Sequence, residues 1–186
     1  MVKKKIYGIV GETCAGKDTV CGIVSKEVGI GLVCSFTTRK MRTSDVQDVH
    51  HHFVTKSVFD KVMHDGTPVA YTKTGDIEYG ITMEAMGNDR IYVINPAGIR
   101  WFRARNYEDI EIIPIYITLP LAERTIRASK RNDTLAVFKS RVEAETEDFK
   151  KFVLNNEYKY ALQNYNSVDT AKLIAEIIRF EESKID

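Results

Sequence analysis

A glycine-rich segment near the start of the chain has the residues and the spacing of a phosphate-binding loop. It reads GETCAGKDT and comprises Gly11, Glu12, Thr13, Cys14, Ala15, Gly16, Lys17, Asp18 and Thr19. An apolar segment precedes it and a helix-like pattern follows it, which is the context that such a loop requires. Gly11 and Gly16 allow tight turns that aim backbone N–H groups at a polyphosphate, and Lys17 supplies a fixed cation. We expect this loop to bind a nucleotide.

The residue after the loop lysine departs from the usual pattern. That position normally carries a serine or threonine hydroxyl that contacts magnesium, whereas here it is Asp18, with Thr19 one residue later. We expect Thr19 to contact the metal ion, with Asp18 as a candidate outer-sphere partner. The alternative for the whole segment is a glycine-rich turn that only packs a strand against a helix.

Two arginines follow a predicted buried strand further along the chain. Arg39 and Arg42 lie in the segment SFTTRKMR, residues 35–42. A guanidinium group matches two phosphate oxygens at once, and ligands of α/β proteins bind at the carboxyl ends of the strands. The pair is therefore well placed to bind the phosphate of an acceptor, although arginines in isolation are more simply explained as surface cations.

Further cationic side chains border a predicted hinge at residues 129–134. They are Arg124, Arg127, Lys130, Arg131, Lys139 and Arg141. The rate of phosphoryl transfer depends on positioning and on cations placed where charge develops, and a closing cover also excludes water. The alternative is a solvated helix face on which Glu143, Glu145 and Glu147 balance the arginines.

The elements that must position these residues alternate between short β-branched strands and amphipathic helices, as in a parallel sheet covered by helices. The predicted strands are residues 5–10, 31–35, 90–94, 110–117 and 159–163. The predicted helices are residues 17–28, 96–104, 121–131, 136–154 and 171–182. A chain of 186 residues fits one domain, so we predict a single α/β domain.

Two segments interrupt this alternation. Residues 37–86 are polar and contain turn signals, and we expect them to form an inserted lobe that binds the acceptor. Residues 129–141 are expected to form a lid. The core would consist of residues 1–36, 87–128 and 142–186.

The composition excludes several classes of protein. With 44% hydrophobic and 28% charged residues, the chain is neither disordered nor a coiled coil. Its net charge of +1 gives no reason to bind nucleic acid polymers or anionic membranes. No apolar run approaches the roughly 20 residues of a membrane span, and the first residues do not form a signal peptide. The cysteines, Cys14, Cys21 and Cys34, lack the spacing of a zinc or redox site, so we expect a cytoplasmic protein.

The segments GETCAGKDT and TTRKMR, followed by HFV at residues 52–54 and YGIT at residues 79–82, resemble the guanylate kinase family of phosphate-loop nucleoside monophosphate kinases. The resemblance covers nearly the whole chain. It implies a three-layer α/β P-loop NTPase fold with a parallel central sheet, an inserted acceptor-binding lobe and a helical lid. It also implies transfer of a phosphoryl group from ATP, with Mg²⁺, to GMP or dGMP, by a monomer or a homodimer.

The resemblance assigns roles to individual residues. The catalytic residues would be Lys17, Arg39, Arg131 and Arg141. The donor nucleotide would contact residues 11–19, Arg127 and Asn164. The acceptor would contact Ser35, Arg39, Arg42, His51, Ala70, Tyr79 and Asn95. His51 replaces a tyrosine of the family, and the interval between Arg131 and Arg141 is one residue shorter than usual.

Two positions depart from the family where the acceptor base would be bound. The family recognises guanine mainly through a glutamate and an aspartate, and these positions are Ala70 and Asn95 here. Loss of a charged hydrogen bond costs roughly 1.5–3 kcal/mol, so the identity of the base stays open. Asp76 or Glu78 in the predicted hairpin is a candidate to compensate.

Two alternatives remain at this point. A related phosphate-loop family phosphorylates ribose 1,5-bisphosphate, shares the Gly-Lys-Asp sequence of the loop and has an asparagine near Asn95, and a different nucleoside monophosphate is a further option. Guanylate kinase-like domains also occur as binding modules without catalysis. Those modules typically lose the loop lysine or the lid arginines, whereas Lys17 and Arg131 are both present here.

Overall fold

The structure is a computed structural model that describes residues 3–42 and 45–184. Residues 43 and 44 of the predicted lobe, and residues 1, 2, 185 and 186 of the predicted core, lie outside the described residues. The strands are β1 (Lys4–Val10), β2 (Phe36–Thr37), β3 (His52–Phe53), β4 (Pro68–Thr74), β5 (Ile77–Thr82), β6 (Ile91–Val93), β7 (Ile110–Thr118) and β8 (Tyr160–Gln163). The helices are α1 (Lys17–Val28), α2 (Lys56–Asp65), α3 (Met83–Met86), α4 (Pro96–Ala104), α5 (Leu121–Lys130), α6 (Leu135–Leu154) and α7 (Ser167–Ser183).

The main sheet has the strand order β6-β1-β7-β8, and all its pairs are parallel. In β1, Tyr7 and Ile9 are buried in one core cluster and Ile6 and Val10 in another. Because side chains of a strand alternate between faces, both faces of the sheet are covered. This double burial explains why the central strands are nearly continuous apolar runs.

Helices cover the two faces of this sheet. Helices α1 and α7 pack on one face through Val20, Val24, Ile174 and Ile178. Helices α4 and α6 pack on the other face through Phe102, Phe149 and Phe152. The predicted three-layer α/β fold with a parallel central sheet is therefore confirmed. No helix in the described part of the chain combines the length and the apolar character needed to cross a membrane.

A second sheet, of order β3-β2-β5-β4, is built from residues between β1 and β6. Strands β4 and β5 form an antiparallel hairpin, and β2 pairs with β5. Val69, Ala70 and Ile81 of this sheet belong to the same buried cluster as α4 and α6. The second sheet is thus packed against the main domain, and the arginine-bearing segment leaves it at the end of β2.

Two predicted elements are corrected by the structure. The predicted strand at residues 31–35 is wrong, because Leu32 makes only an isolated bridge to Ile91. The chain then leaves the main sheet and pairs with the second sheet at Phe36. Helix α7 begins four residues before the predicted position 171, because the Asn166 side chain accepts hydrogen bonds from Val168 N and Asp169 N.

Only a short turn connects α5 and α6. Helix α5 continues to Lys130, and α6 begins at Leu135. Thr134 caps α6 through its side-chain oxygen, which accepts from Val137 N. Residues 129–141 therefore consist of the end of one helix, a tight turn and the start of the next helix.

The buried centre of β7 provides a test of this fold. Ile113 is fully buried (0% exposed), so Ile113→Ala should reduce the free energy of unfolding by about 2–5 kcal/mol. Leu173→Ala, at an exposed position of α7, should change it by less than about 1 kcal/mol. Urea unfolding of both variants measures the difference, and equal losses would contradict the assignment of β7 to the centre.

Candidate active site

The glycine-rich segment forms a tight loop between β1 and α1. Gly16 caps α1 with a left-handed φ of 92°. A Cβ atom at Gly11 would lie 2.4 Å from the Ile117 carbonyl oxygen, and one at Gly16 would lie 2.5 Å from Asn164 Nδ2. Only glycine fits these two positions without rearrangement. The loop therefore has the strand–loop–helix form that directs amides and a helix N-terminus toward an anion.

The side chains of the loop serve different purposes. Lys17 Nζ donates to the carbonyl oxygens of Gly11, at 2.6 Å, and Glu12, at 3.2 Å. Glu12 accepts a hydrogen bond from Tyr116 Oη at 2.8 Å. Burial raises the pKa of the Cys14 thiol above its ordinary value, so this thiol is protonated near neutral pH. Lys17 is the cation of the loop, and it lines the main cavity.

One cavity of about 380 Å³ joins the loop to the second sheet. Its lining includes Gly11, Lys17, Arg39, Arg42, Tyr79 and Arg141. Parallel strands place their carboxyl ends at one edge of a sheet, and the loop follows β1 at this edge. The structure thereby brings together residues from three distant parts of the sequence.

A carboxylate holds the two arginines that follow β2. Asp45 Oδ2 accepts from Arg39 Nη1 at 2.8 Å and from the backbone N–H of Arg42 at 2.7 Å. Arg39 also lies over the Phe53 ring, with its Cζ 5.1 Å from the centroid. Burial works against ionisation of Asp45, but these hydrogen bonds and the positive charges hold its pKa below the ordinary value. Asp45 therefore stays ionised and keeps Arg39 at the cavity.

A second carboxylate holds the two arginines of the lid. Asp133 Oδ2 accepts from Arg131 Nε and from Arg141 Nη1, both at 3.1 Å. The turn that presents Asp133 passes through Asn132, which adopts a left-handed φ of 59°. Although burial opposes it, hydrogen bonding to Arg131 lowers the pKa of Asp133. Arg131 and Arg141 are thus joined through one ionised group.

Arg39, Arg42 and Arg141 line the cavity, whereas Arg131 lies outside its lining and is joined to Arg141 through Asp133. Partial burial, followed by the like charges of Arg39, Arg141 and Arg131, lowers the pKa of the Arg42 guanidinium. Such a shift requires the other guanidinium groups to lie within electrostatic range. An arrangement of like charges at the mouth of a phosphate loop is an anion site.

His51 lies in the cavity in a neutral form. Its Nδ1 is 3.0 Å from Ser35 Oγ, and its ring is 5.6 Å from that of Tyr79. Burial, and then the charge of Arg39, lowers the pKa of His51 to about 4. Near neutral pH the ring has one N–H donor and one acceptor nitrogen. His51 therefore contributes hydrogen bonding, not charge, to the acceptor side.

Ala70 and Asn95 also line this cavity. The hairpin acids do not compensate for them. Glu78 points to the other face of the second sheet, where it accepts from Tyr71 Oη at 2.7 Å and pairs with Lys56 at 3.0 Å. Asp76 is exposed in the hairpin turn and is not part of the cavity lining.

Asp18 and Thr19, the two candidate metal ligands of α1, are both exposed and both border a smaller pocket outside the main cavity. The charge of Asp18 acts on the pKa values of both His51 and Arg131. Magnesium needs only one or two protein carboxylates when substrate phosphates supply its other ligands. The Asp18 carboxylate and the Thr19 hydroxyl, neighbours at the start of α1, are oxygen donors of the kind that magnesium accepts.

Arg127 and Asn164 contact the backbone of the loop and do not line the cavity. Arg127 donates to the carbonyl oxygens of Ala15, at 3.1 Å, and Asn164, at 2.6 Å. Asn164 Nδ2 donates to the Ala15 carbonyl oxygen at 2.7 Å. These contacts hold the loop in place from the side of β8.

Glu145, which the sequence analysis considered only in the alternative of a solvated helix face, lines the cavity. It accepts from the Thr13 backbone N–H at 2.8 Å and from Thr13 Oγ1 at 3.1 Å, and it pairs with Arg124 at 3.4 Å. Burial raises its pKa in spite of these hydrogen bonds. Its position one helical turn after Arg141 was the available signal, because residues four apart share a helix face.

The comparisons with known proteins agree with this geometry. No model of a known protein family matches the chain. It is 29% identical to a guanylate kinase of Clostridioides difficile, covering 99% of this chain and 92% of that protein. It is 26% identical to a guanylate kinase of Agrobacterium fabrum, covering 86% and 79% of the two chains. The chain is therefore similar to guanylate kinases over nearly its whole length.

A solved structure shows the same fold. The crystal structure of guanylate kinase from Anaplasma phagocytophilum superposes with a TM-score of 0.74. The match covers 99% of this chain and 90% of that chain, at 20% sequence identity. The resemblance predicted from the sequence is confirmed by the curated relatives, and this solved structure shows the same fold.

The lowered pKa of His51 predicts how stability depends on pH. Its pKa is about 4 in the folded chain, against a value of 6.5 for free histidine, so the unfolded chain binds more protons between these values. Stability therefore rises with pH across this interval. At 1.36 kcal/mol per pKa unit, protonation of His51 should lower the free energy of unfolding by about 3 kcal/mol as the pH falls from 7 to 4.

The test compares His51→Tyr with His64→Gln, which changes an exposed histidine of α2. Urea unfolding at pH 7 and at pH 4.5 should show a smaller loss of stability for His51→Tyr than for the wild type. The His64→Gln variant should follow the wild type. The same pH dependence in all three proteins would contradict a neutral, buried His51.

Proposed function

We propose that this chain transfers the γ-phosphoryl group of Mg-ATP to the phosphate of a nucleoside monophosphate, with GMP or dGMP as the main acceptor. One observation carries the proposal: a single cavity is lined by the phosphate loop, by Arg39 and Arg42 after β2, and by Arg141 of α6. Two phosphorylated molecules can therefore meet end to end within it. The guanylate kinases among its relatives support the same reaction.

On the donor side, the loop amides and Lys17 would bind the outer phosphates of ATP. Magnesium, when bound, supplies positive charge that neutralises the phosphates; Thr19 would contact it, with Asp18 as a candidate outer-sphere partner. Arg127 and Asn164 act through the loop, because their hydrogen bonds end on its backbone carbonyl groups. A loop held in this way needs little reorganisation when the nucleotide binds.

On the acceptor side, Arg39 and Arg42 would bind the monophosphate with their guanidinium groups. Tyr79 and the neutral His51 would add uncharged hydrogen bonds from the lobe. Asp45 already binds the Arg39 side chain and the Arg42 backbone, so the Arg39 guanidinium is ordered before the acceptor arrives. Such preorganisation reduces the entropy that binding must overcome.

For the transfer step, Arg131 and Arg141 would stabilise the charge that develops on the migrating group. An oxygen of the acceptor phosphate attacks the γ-phosphorus, and the bond from this phosphorus to the β–γ bridging oxygen breaks. No general base is required, because the attacking oxygen is already ionised near neutral pH. A closed lid would keep water from competing with the acceptor.

The cavity is formed by one chain, so one copy would hold both substrates whether the protein is a monomer or a homodimer. We place this activity in the cytoplasm, where ATP is available. Free thiols at Cys14, Cys21 and Cys34 are consistent with a reducing compartment.

The proposal is tested by coupled measurement of ADP release with Mg-ATP and a panel of acceptors. GMP, dGMP, AMP, CMP, UMP and ribose 1,5-bisphosphate are the informative members. We expect turnover with GMP and dGMP. Turnover with the sugar phosphate alone, or with no acceptor in the panel, would contradict a nucleoside monophosphate kinase.

The assigned cations predict a defined loss of activity. Lys17→Ala and Arg39→Ala should each lower turnover by about 10² or more, because each removes a charge from the reacting phosphates. Lys26→Ala, at an exposed position of the same helix α1, is the matched control and should retain full activity. Steady-state kinetics measures the effect, and near-normal turnover in both test variants would refute the assigned roles.

A separate measurement shows whether the wild-type chain binds nucleotide even if it shows no turnover. Mg-ATP at 100 times its dissociation constant should stabilise the wild-type chain by about 2.7 kcal/mol. A thermal shift with the wild type but no turnover would indicate a binding module in place of an enzyme.

A further inference from the structure

The end of the cavity beyond the arginines is where the base of an acceptor nucleotide would lie. Ala70 and Thr72 are two residues apart on β4 and line the same cavity, as alternation along a strand requires. Asn95 lines it from the start of α4, directly after β6. In the hairpin register Thr72 pairs with Tyr79, which places this group next to the proposed phosphate site.

The orientation of the Asn95 amide is determined by the helix that it caps. Its Oδ1 accepts from Gly98 N at 2.8 Å, and its Nδ2 donates to Thr72 Oγ1 at 3.3 Å. Since Thr72 Oγ1 accepts this bond, its own O–H is available as a donor. The second N–H of Asn95 is available as well. These two side chains therefore offer hydrogen-bond donors to a bound base.

The carboxylates that line the cavity already form hydrogen bonds or ion pairs with other protein groups. Glu145 accepts from Thr13 and pairs with Arg124, and Asp148 pairs with Arg100. Glu78 faces α2, as described above. No carboxylate in the described lining is thus placed beside Ala70 to accept the N–H groups of a base.

We propose that the acceptor base is recognised at its ring carbonyl oxygen and not at a 2-amino group, so that inosine monophosphate is an acceptor comparable to GMP. This inference rests on the proposed function and names its substrate class as 6-oxopurine nucleoside monophosphates. Guanine and hypoxanthine share the O6 and N7 acceptors that the donors of Thr72 and Asn95 can satisfy. Adenine carries an amino group at position 6, which would oppose those donors.

The reaction with inosine monophosphate is the same transfer. An oxygen of its phosphate forms a bond to the γ-phosphorus of ATP, the bond to the bridging oxygen breaks, and ADP leaves with that electron pair. The products are inosine diphosphate and ADP. A site rejects an analogue strongly when the missing group leaves a buried polar partner unpaired, and here loss of the 2-amino group leaves no such partner.

The experiment measures kcat/KM for GMP, inosine monophosphate and AMP at saturating Mg-ATP. GMP and inosine monophosphate should agree within about tenfold, and AMP should be slower by about 100-fold or more. A preference for GMP over inosine monophosphate of about 100-fold would overturn the inference while leaving the proposed function intact. Comparable turnover of AMP would overturn it too. No turnover with any of the three would remove the proposed function itself.

Substitution at Ala70 tests where the base lies. Ala70→Glu introduces a carboxylate that can accept N–H groups of guanine, so the ratio of kcat/KM for GMP to that for inosine monophosphate should rise roughly 10-fold or more. Ala70→Gln has the same shape without the charge and should raise this ratio much less. The ratio of the dissociation constants of the two nucleotides, measured by calorimetry, should change in the same direction as the ratio of kcat/KM.

Ala70 is buried, with 1% exposure, so the folded state of each variant is checked by thermal melting. If Ala70→Glu does not fold, Asn95→Asp decides the question, because aspartate caps a helix as well as asparagine does. It places a carboxylate against the same end of the cavity and should shift the ratio in the same direction. An unchanged ratio in a folded variant would show that the base binds elsewhere and would overturn the inference.

Discussion

Mutual repulsion among four guanidinium groups is the constraint on which the site depends. Partial burial, and then the positive charges of Arg39, Arg141 and Arg131, lower the pKa of the Arg42 guanidinium. Two ionised carboxylates, Asp45 and Asp133, each bind two of these residues and offset part of the charge. An incoming phosphate meets cations that are already ordered and only partly neutralised, so binding gains charge pairing without first ordering long side chains.

The fold explains why such a cluster forms at this place. The loop after β1 requires glycine at two positions where a side chain would collide with Ile117 or Asn164. The cavity beside this loop receives the segment after β2 and one face of α6. Three segments that are remote in sequence therefore present their charges to one cavity of about 380 Å³. A parallel sheet covered on both faces has the carboxyl ends of its strands as its natural ligand site.

The acceptor side differs from the donor side in how its polar groups are used. Around the loop, backbone carbonyl groups are bound by Lys17, Arg127 and Asn164, and the site is rigid and charged. Near Ala70 and Asn95, the available groups are neutral donors, and the nearby carboxylates are paired with arginines. The groups suited to bind phosphate and the groups suited to select a base thus lie in separate parts of one cavity. Base selectivity can therefore change while phosphate binding is kept.

Much of this could be predicted from the sequence. The loop, the alternation of strands and helices, the arginines at 39 and 42 and the family itself were all predicted, because each depends on local spacing or on a contiguous motif. The strand at 31–35 was wrong because an apolar run does not show which of two sheets it will join. The start of α7 was missed because the Asn166 cap lies outside the apolar pattern used to find the helix.

The sequence alone therefore determined that the chain carries a phosphate loop in an α/β fold and that it has cations suited to a second phosphate. Only the tertiary structure decided which charges meet. It paired Asp45 with Arg39, Asp133 with Arg131 and Arg141, and Glu145 with Thr13, and it turned Glu78 away from the cavity. The reason is physical: hydrogen bonds and ion pairs depend on distances of about 3 Å, and residues far apart along the chain come within that range only when the sheets and helices pack.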